Sequence, residues 1–506
     1  MKTELPRLSV TDSYGALDGV DTLVFITTST NDGSVLTRGV AGDLIASYGV
    51  DVPATISQLG ISGEVGQVKT LTLPPLTGDD RWAHLPATVM FIGIGEGETG
   101  LGDRARHAGG ALARALQPAA VAAIAGLDEL ATQAVTAFAE GVALGLYKHP
   151  FMGTTTRPQP AGPIRFVNVD TDALDLGIRR ASATIQARRW AATPSNIKTP
   201  DWFAGQALKQ AKRAGLSVQV RDERWIQAQG MGGLTAVGAG SVNPPRFVVA
   251  EYTPKGTRAG RIAVVGKGIT FDTGGISIKP RESMMAMKTD MTGAAVGLAA
   301  VLGAAKAQAP DSIVAVLPMA ENSFSGSSYR PSDILTMVDG TTVEIGNTDA
   351  EGRMVLADAM AWARAQYRPE VLIDVATLTG AATLGLGKIH GALYATSSAL
   401  AQAFTQAGDD TGEPLWRMPL VEDYREALKS SVADLNHITQ PGVGAGSITA
   451  ALFLQHFAGQ TPWVHLDIAG PARASKTGGL FTEGATGFGA RALMHYLTNN
   501  PLDSLD

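Results

Sequence analysis

Apolar residues along this chain fall into short, nearly continuous runs, separated by longer stretches in which they recur every three or four positions. In the first part, Asp21-Thr22-Leu23-Val24-Phe25-Ile26 and Ala87-Thr88-Val89-Met90-Phe91-Ile92-Gly93 read as strands, and the alanine-rich stretches 104–116 and 128–146 read as helices. Residues 149–163, with Pro150, Gly153, Pro158, Pro160, Gly162 and Pro163, read as a linker or long irregular connection. A long helix is expected over 171–192, stopping before Thr193-Pro194-Ser195, because proline disfavours helical backbone in the residue before it. Beyond it, strand-like runs occur at 246–252, 262–265, 313–317, 343–346, 371–375 and 464–467, with helical patterns such as 292–307 and 353–366 between several of them.

Continuous apolar strands alternating with helices predict a largely parallel sheet covered on both faces. The expected fold class is therefore α/β, with two domains, each a mostly parallel or mixed β-sheet flanked by helices. The expected boundaries are 1–170 for the first domain, 171–192 for a linking helix and 193–506 for the second domain. In open α/β sheets ligands bind outside the carboxyl ends of the strands, so the loops after the strands of the second domain are where chemistry is expected.

Composition supports this picture and narrows the function. A chain of 506 residues exceeds what one core normally supports, and 17% charged with 45% hydrophobic residues is globular rather than disordered. Cysteine is absent, which removes disulfides, thiolate nucleophiles and thiolate-bound zinc together and fits a reducing compartment. The start Met1-Lys2-Thr3-Glu4-Leu5-Pro6 lacks the basic-then-apolar pattern of a signal peptide, and no apolar run reaches transmembrane length, so a soluble cytoplasmic protein is expected. The net charge is −6, and the first 170 residues carry all of the excess, with 11 Lys/Arg against 17 Asp/Glu. Such a balance argues against nucleic acid as a partner. Gly93-Ile94-Gly95-Glu96-Gly97 lacks the third glycine at the spacing of a dinucleotide fingerprint and reads as a plain strand-to-loop turn.

The densest chemistry lies in Asn347-Thr348-Asp349-Ala350-Glu351-Gly352-Arg353. If the segment is extended, Asp349 and Glu351 point the same way, and such a pair persists only where a cation, proton or guanidinium neutralises it. Ordinary turn chemistry of Asn, Asp and Gly is the competing reading. A second loop, Gly266-Lys267-Gly268-Ile269-Thr270-Phe271-Asp272 through Lys279-Pro280, follows a predicted strand; its glycines permit close approach to a ligand, but the Walker spacing for phosphate is absent. A third segment places Asp290 before a small-residue helix, where the plain reading is a helix N-cap. Convergence of Asp272, Asp290, Asp349 and Glu351 at one sheet edge favours metal. Two divalent cations roughly 3.5 to 4 Å apart would offset the charge and activate a shared water. Lys267 and Lys279 read either as a neutral metal ligand and a charged carbonyl-polarising group, or as plain salt-bridge partners of these aspartates. Arg353 reads either as a helix-start residue paired with Glu351 or solvent, or as a fork for an oxyanion. The histidines show no His-Glu-x-x-His spacing, and His465, on a predicted strand, reads as a hydrogen-bonded core residue.

The blocks Val265 to Asp272 through Lys279-Pro280, Met287-Lys288-Thr289-Asp290-Met291 and Asn347 to Arg353 resemble the signature segments of the leucyl aminopeptidase, or cytosol aminopeptidase, family (peptidase family M17). The resemblance continues through Asp374 to Gly380, Gly446 to Ala451 and His465 to Gly470, and covers most of residues 175–500. It implies an exopeptidase, with the second domain catalytic, that removes N-terminal residues, leucine-type preferred, from peptides. The implied assembly is a homohexamer. Carried over position by position, one ion (zinc or manganese) is held by Asp272, Asp349 and Glu351, and a second by Lys267, Asp272, Asp290 and Glu351. Lys279 polarises the scissile carbonyl. Arg353 holds a bicarbonate ion that serves as general base toward the shared water. Met287, Thr377, Gly380, Ala469 and Ala472 line the pocket for the first side chain. Thr273 and Met354 depart conservatively from the family pattern, Ala191-Ala192 replaces a more polar pair in a region expected to be structural, and Ala472 stands where some relatives carry a larger residue. Some relatives also bind DNA, which makes a DNA-binding scaffold the alternative; the acidic first part argues against it.

Overall fold

The run Leu23-Val24-Phe25-Ile26 has no exposed surface in the computed structural model of the chain, which describes residues 6–11, 17–30, 35–37, 47–49, 51–73, 85–149, 162–256, 260–439, 442–499 and 502. Strands β1 (Leu8–Thr11), β2 (Thr22–Ser29), β3 (Val35–Thr37), β4 (Val68–Thr72), β5 (Thr88–Gly93), β6 (Ala122–Ala125) and β7 (Ile164–Val167) form one seven-stranded sheet. Its order is β1-β7-β6-β2-β5-β4, with β3 paired to β2; β4 and β3 run antiparallel to their neighbours and the other pairings are parallel. Because side chains alternate along a strand, Val24 and Ile26 enter one apolar cluster and Leu23 and Phe25 another, one on each face. Of the expected linker, residues 150–161 lie outside the described residues, as do residues 1–5 at the start.

The Gly93-to-Gly97 segment is a turn after β5. Arg104 donates to the carbonyls of Ile94, Gly97 and Thr99, so the loop offers oxygens to a cation rather than amides to a phosphate.

The second sheet comprises β8 (Ser217–Arg221), β9 (Arg246–Tyr252), β10 (Arg261–Gly266), β11 (Gly268–Asp272), β12 (Ser312–Asn322), β15 (Val371–Ala376), β16 (Gly391–Ala395), β17 (Leu415–Arg417) and β19 (Trp463–Asp467). Strand β10 is central, parallel to β12 and to β15, and β15 is parallel to β19. The same alternation sends Ile262 and Val264 to one face, under the helix Thr292–Lys306, and Ala263 and Val265 to the other, under the helix Glu351–Tyr367. The pairings Gly266 with Val375 and Ala376 with Asp467 bring the carboxyl ends of β10, β15 and β19 to one edge.

The expected fold, α/β with two mostly parallel or mixed sheets flanked by helices, is the fold observed. One strand is placed differently. The run at 343–346 forms β14 (Thr342–Glu344), which lies in a separate three-stranded sheet with β13 (Ile334–Thr336) and β18 (Leu435–Asn436). Only Val343 of that strand is buried, and its neighbours Thr342 and Glu344 are half-buried, so it has one core face where a central strand needs two.

The chain divides into two units, residues 1–182 with 476–482, and residues 183–475 with 483–506. The break falls inside the helix Thr171–Ala192. Arg114 donates to the Gly479 and Phe481 carbonyls and ties 476–482 to the first unit. Among the described residues no helix is long and apolar enough to cross a membrane.

The helix Thr292–Lys306 starts hard against β15: a Cβ on Gly293 would lie 2.1 Å from the Val375 carbonyl oxygen. Backbone cannot yield as a flexible side chain does, so Gly293→Ala is expected to lower stability by about 1–3 kcal/mol. Denaturant unfolding of the variant checks this, and unchanged stability would show that the helix can slide off the strand at no cost.

Candidate active site

The candidate residues lie on loops at the carboxyl edge of the second sheet and on the start of one helix. The β11–β12 pairing is interrupted by a register shift between Ile269 and Asp272, an irregularity of the kind that re-aims a side chain near a site. Asp272 Oδ1 accepts from the Gly274 amide and from Asn322 Nδ2, each at 2.8 Å, which leaves Oδ2 toward Lys279 Nζ at 2.9 Å. Lys267 sits between β10 and β11, its amide bonded to the Val375 carbonyl and its own carbonyl to the Ala294 amide, so its backbone is fixed at both ends.

The heptapeptide from Asn347 is not extended. Residues 347–350 form a turn, with the Asp349 amide donating to Asn347 Oδ1, and Glu351 opens the helix Glu351–Tyr367. The strand periodicity that would align Asp349 with Glu351 therefore does not apply, and the turn chemistry is real. Thr348 accounts for the placement instead: its Oγ donates to the Gly274 carbonyl and accepts from the Ser277 amide, while its carbonyl accepts from Asn322 and Tyr329. These bonds pin the turn to the Asp272 loop. Glu351 meets the positive end of its helix, which suits a carboxylate. Gly352 beside it has no room for a side chain, since a Cβ would lie 2.5 Å from Lys267 Cε.

Asp290 is not the N-cap of the following helix; that position belongs to Met291, and Asp290 instead ends the one-turn helix Met287–Thr289. Its carboxylate is turned into the site, where Oδ1 accepts from Thr377 Oγ at 2.8 Å and Oδ2 lies 2.8 Å from Lys267 Nζ.

Asp272, Asp290 and Glu351 thus converge, each offering an oxygen within 4.8 Å of the others, and all three are buried. Asp349 stands outside this triplet, half-buried, and shares the Lys279 ammonium with Asp272. Lys267 pairs with Asp290 and Glu351, the latter at 2.9 Å. Both lysines are therefore salt-bridged to the site carboxylates, one of the two readings open from the sequence. Burial alone would lower the pKa of Lys267, but Asp290, Glu351 and Asp272 outweigh it and hold it above the ordinary lysine value. Conversely, burial and the neighbouring carboxylates raise Asp272, Asp290 and Asp349 above the ordinary carboxylate range. Glu351 Oε2 is buried and accepts no hydrogen bond among the described residues. An oxygen-rich, charge-crowded cradle with an unmatched acceptor is the donor set that a hard divalent cation takes.

Arg353 lies in the first turn of its helix, almost wholly buried. Its Nη1 donates to the His437 carbonyl at 2.6 Å and its Nε has no partner among the described residues, while burial lowers its pKa to about 10. Of the expected pocket residues, Met287, Thr377 and Ala469 are half-buried and Gly380 is exposed, with open space where a Cβ would stand. Ala472 has no exposed surface and so presents nothing to a substrate here. His465 is a core residue: its Nδ1 bonds Asp374 at 2.6 Å, and its ring stacks between Trp463 and Tyr394.

A profile of the catalytic domain of the cytosol aminopeptidase family matches residues 185–494, and one of the family's N-terminal domain matches 32–150. The chain belongs to the cytosol aminopeptidase family. It is 39% identical over 461 residues to a probable cytosol aminopeptidase of Geobacter sulfurreducens, covering 88% of this chain and 90% of that one. A 46% identical match to the probable cytosol aminopeptidase of Chlorobium limicola spans 64% of each chain. Among solved structures, a tomato leucine aminopeptidase mutant is similar at 29% identity and TM-score 0.85, covering 99% of this chain and 98% of that one. The bottromycin maturation enzyme BotP in complex with Mn is similar at 34% identity and TM-score 0.83, covering 95% and 99%. Cytosol aminopeptidases are metal-binding hydrolases, and the carboxylate cradle of this chain suits that class.

Two supporting residues escaped the sequence reading. Asn322 links Asp272 to the Thr348 carbonyl, yet its only sequence signal is a polar residue at the end of a strand whose apolar run is broken by Pro318. His437 is fully buried; its Nδ1 lies 3.2 Å from both the Gly346 amide and the Glu344 carbonyl, and its Nε2, 2.9 Å from the Asn347 carbonyl, holds the turn. Burial and the Arg353 guanidinium lower its pKa from 6.5 to about 4.

The unfolded chain therefore takes up a proton at His437 near pH 6.5 that the folded chain refuses until about pH 4. The contribution is fully present above pH 6.5 and lost as pH falls through this window, on the order of 3 kcal/mol in all. Subtracting the stability–pH curve of His437→Gln from that of the unaltered protein isolates it, and a flat difference between pH 6.5 and 4 would show that His437 is not held neutral.

Proposed function

We propose that this chain is a two-metal aminopeptidase that releases N-terminal residues, leucine-type preferred, from peptides. The observation that carries the reading is the buried convergence of Asp272, Asp290 and Glu351, with Asp349 joined through Lys279. One divalent ion, zinc or manganese, would be held by Asp272, Asp349 and Glu351, and the other by Asp272, Asp290, Glu351 and Lys267, whose ammonium would give up its proton beside two dications and ligate as the neutral amine. Ions bound there supply a Lewis acid that makes water a nucleophile at neutral pH and offsets negative charge developing on the carbonyl oxygen.

The chain's own groups do the rest. Lys279 is the partly exposed ammonium of the cluster and donates to the carbonyl oxygen under attack. Arg353, a buried guanidinium whose Nε has no partner among the described residues, suits a small oxyanion such as bicarbonate, the general base in this reading. The substrate's free terminal amine, in its neutral form, would bind the second ion, which an internal peptide nitrogen with its lone pair delocalised into the carbonyl would not, and this favours cleavage from the end. Met287, Thr377, Gly380 and Ala469 would bound the space for the first side chain, with Ala472 behind that wall. A homohexamer is the assembly the family resemblance suggests, and the cytosol is the compartment suggested by the relatives' names. The DNA-binding alternative has no support from the family profiles or the curated relatives, which are named for aminopeptidase.

The test is hydrolysis of a panel of aminoacyl amides by purified protein. Leucine amide is expected among the fastest substrates, with activity abolished by chelation and restored by zinc, manganese or cobalt. Since outer partners of metal sites already cost 10–100-fold, Glu351→Ala is expected to lose at least about 100-fold. Full activity in that variant, or none in the unaltered protein with any metal, would refute the reading.

A further inference from the structure

Lys198 lies in the turn between the helices Thr171–Ala192 and Pro200–Arg213, and it is fully buried. A buried lysine ordinarily has a carboxylate beside it. Lys198 has three backbone carbonyls instead: Nζ donates to Ala191 at 2.7 Å, to Thr193 at 3.2 Å and to Lys288. Among the described residues no carboxylate pairs with it. Burial and the Lys288 ammonium push its pKa well below the ordinary lysine value, yet three acceptors call for three N–H donors, which only the protonated amine supplies.

The three carbonyls belong to two separate elements. Ala191 and Thr193 form the C-terminal end of one helix, where unpaired carbonyls concentrate negative charge and a cation is welcome. The Lys288 carbonyl belongs to the one-turn helix Met287–Thr289, which has only a single turn of its own bonding. Asp290 follows directly, and Met287 is on the same turn. Thr289 between them is braced by its own side chain on the Ala286 carbonyl and by Thr292 on its carbonyl, so a displacement at Lys288 passes on to Asp290.

We propose that Lys198 is a positioning residue, whose ammonium ties the end of the helix Thr171–Ala192 to the Lys288 carbonyl and so fixes the turn that presents Asp290 to the metal site. This rests on the two-metal reading above. Its chemistry distinguishes it from a helix cap alone: a cap stabilises the whole unit, whereas a tether to the Asp290 turn bears on one metal position more than the other.

The experiment is calorimetric titration of Mn²⁺ into metal-free full-length protein, comparing the unaltered chain, K198M, D290N and the double variant, with thermal midpoints recorded in parallel. The position weakened in D290N identifies the Asp290 site. K198M is expected to weaken that position by about 10- to 100-fold, the usual range for an outer partner of a metal ligand, and to leave the other within about threefold. In the D290N background K198M is expected to add less than about threefold. A lowered thermal midpoint with both affinities unchanged, or an undiminished loss in the D290N background, would overturn the proposal and leave Lys198 a helix cap. Should K198M fail to fold, K198Q, which keeps two N–H donors, is titrated instead against the same criteria. No Mn²⁺ binding by the unaltered chain, or no effect of D290N, would overturn the two-metal reading itself.

Discussion

Three carboxylates with oxygens inside 4.8 Å of one another, all buried, are the constraint around which the second unit is organised. Taking even one carboxylate out of water without compensation costs several kcal/mol, and like charges at this distance add to it. The chain answers with Lys267 against Asp290 and Glu351, with Lys279 between Asp272 and Asp349, and with the positive end of a helix at Glu351. Four acidic groups against two ammoniums still leave negative charge, and that remainder is what a divalent cation would balance. The raised pKa values of Asp272, Asp290 and Asp349 register the same deficit.

Holding such a cluster together requires a scaffold stiffer than loops alone. Each carboxylate is mounted on a short segment whose backbone is bonded elsewhere. Asp272 ends a strand and is clamped by Asn322; Glu351 starts a long helix behind a turn fastened by Thr348 and His437; Asp290 ends a single helical turn, its carboxylate bonded by Thr377 and the Lys288 carbonyl of that turn by Lys198. Glycine occupies the places where this convergence leaves no space, as at Gly293 against β15 and Gly352 against Lys267. The parallel strands set the stage by ending at one edge, but side chains outside the cluster decide how the carboxylates face one another.

That division explains what could be read in advance. The parallel strands announce themselves as continuous apolar runs because both faces are buried, and the carboxylates announce themselves as charge in glycine-rich loops after those runs. Local geometry was less legible. Asp349 and Glu351 look co-facial if the segment is a strand, but the segment is a turn entering a helix. Asp290 looks like an N-cap because composition cannot show that the cap falls one residue later. The run at 343–346 has the pattern of a strand yet not its sheet, since pairing is decided by partners distant in sequence. Asn322, His437 and Lys198 each act through a hydrogen bond to a group far along the chain, and no local pattern marks such bonds.

The central claim is that this cluster is a two-ion site rather than a purely structural ion-pair network. Anomalous scattering from crystals equilibrated with manganese tests it most directly. Two peaks per chain are predicted, with Asp272 and Glu351 bordering both, Asp349 bordering one and Asp290 the other. No peak at the cluster, with the Lys267 and Lys279 ion pairs unchanged at saturating manganese, would contradict it.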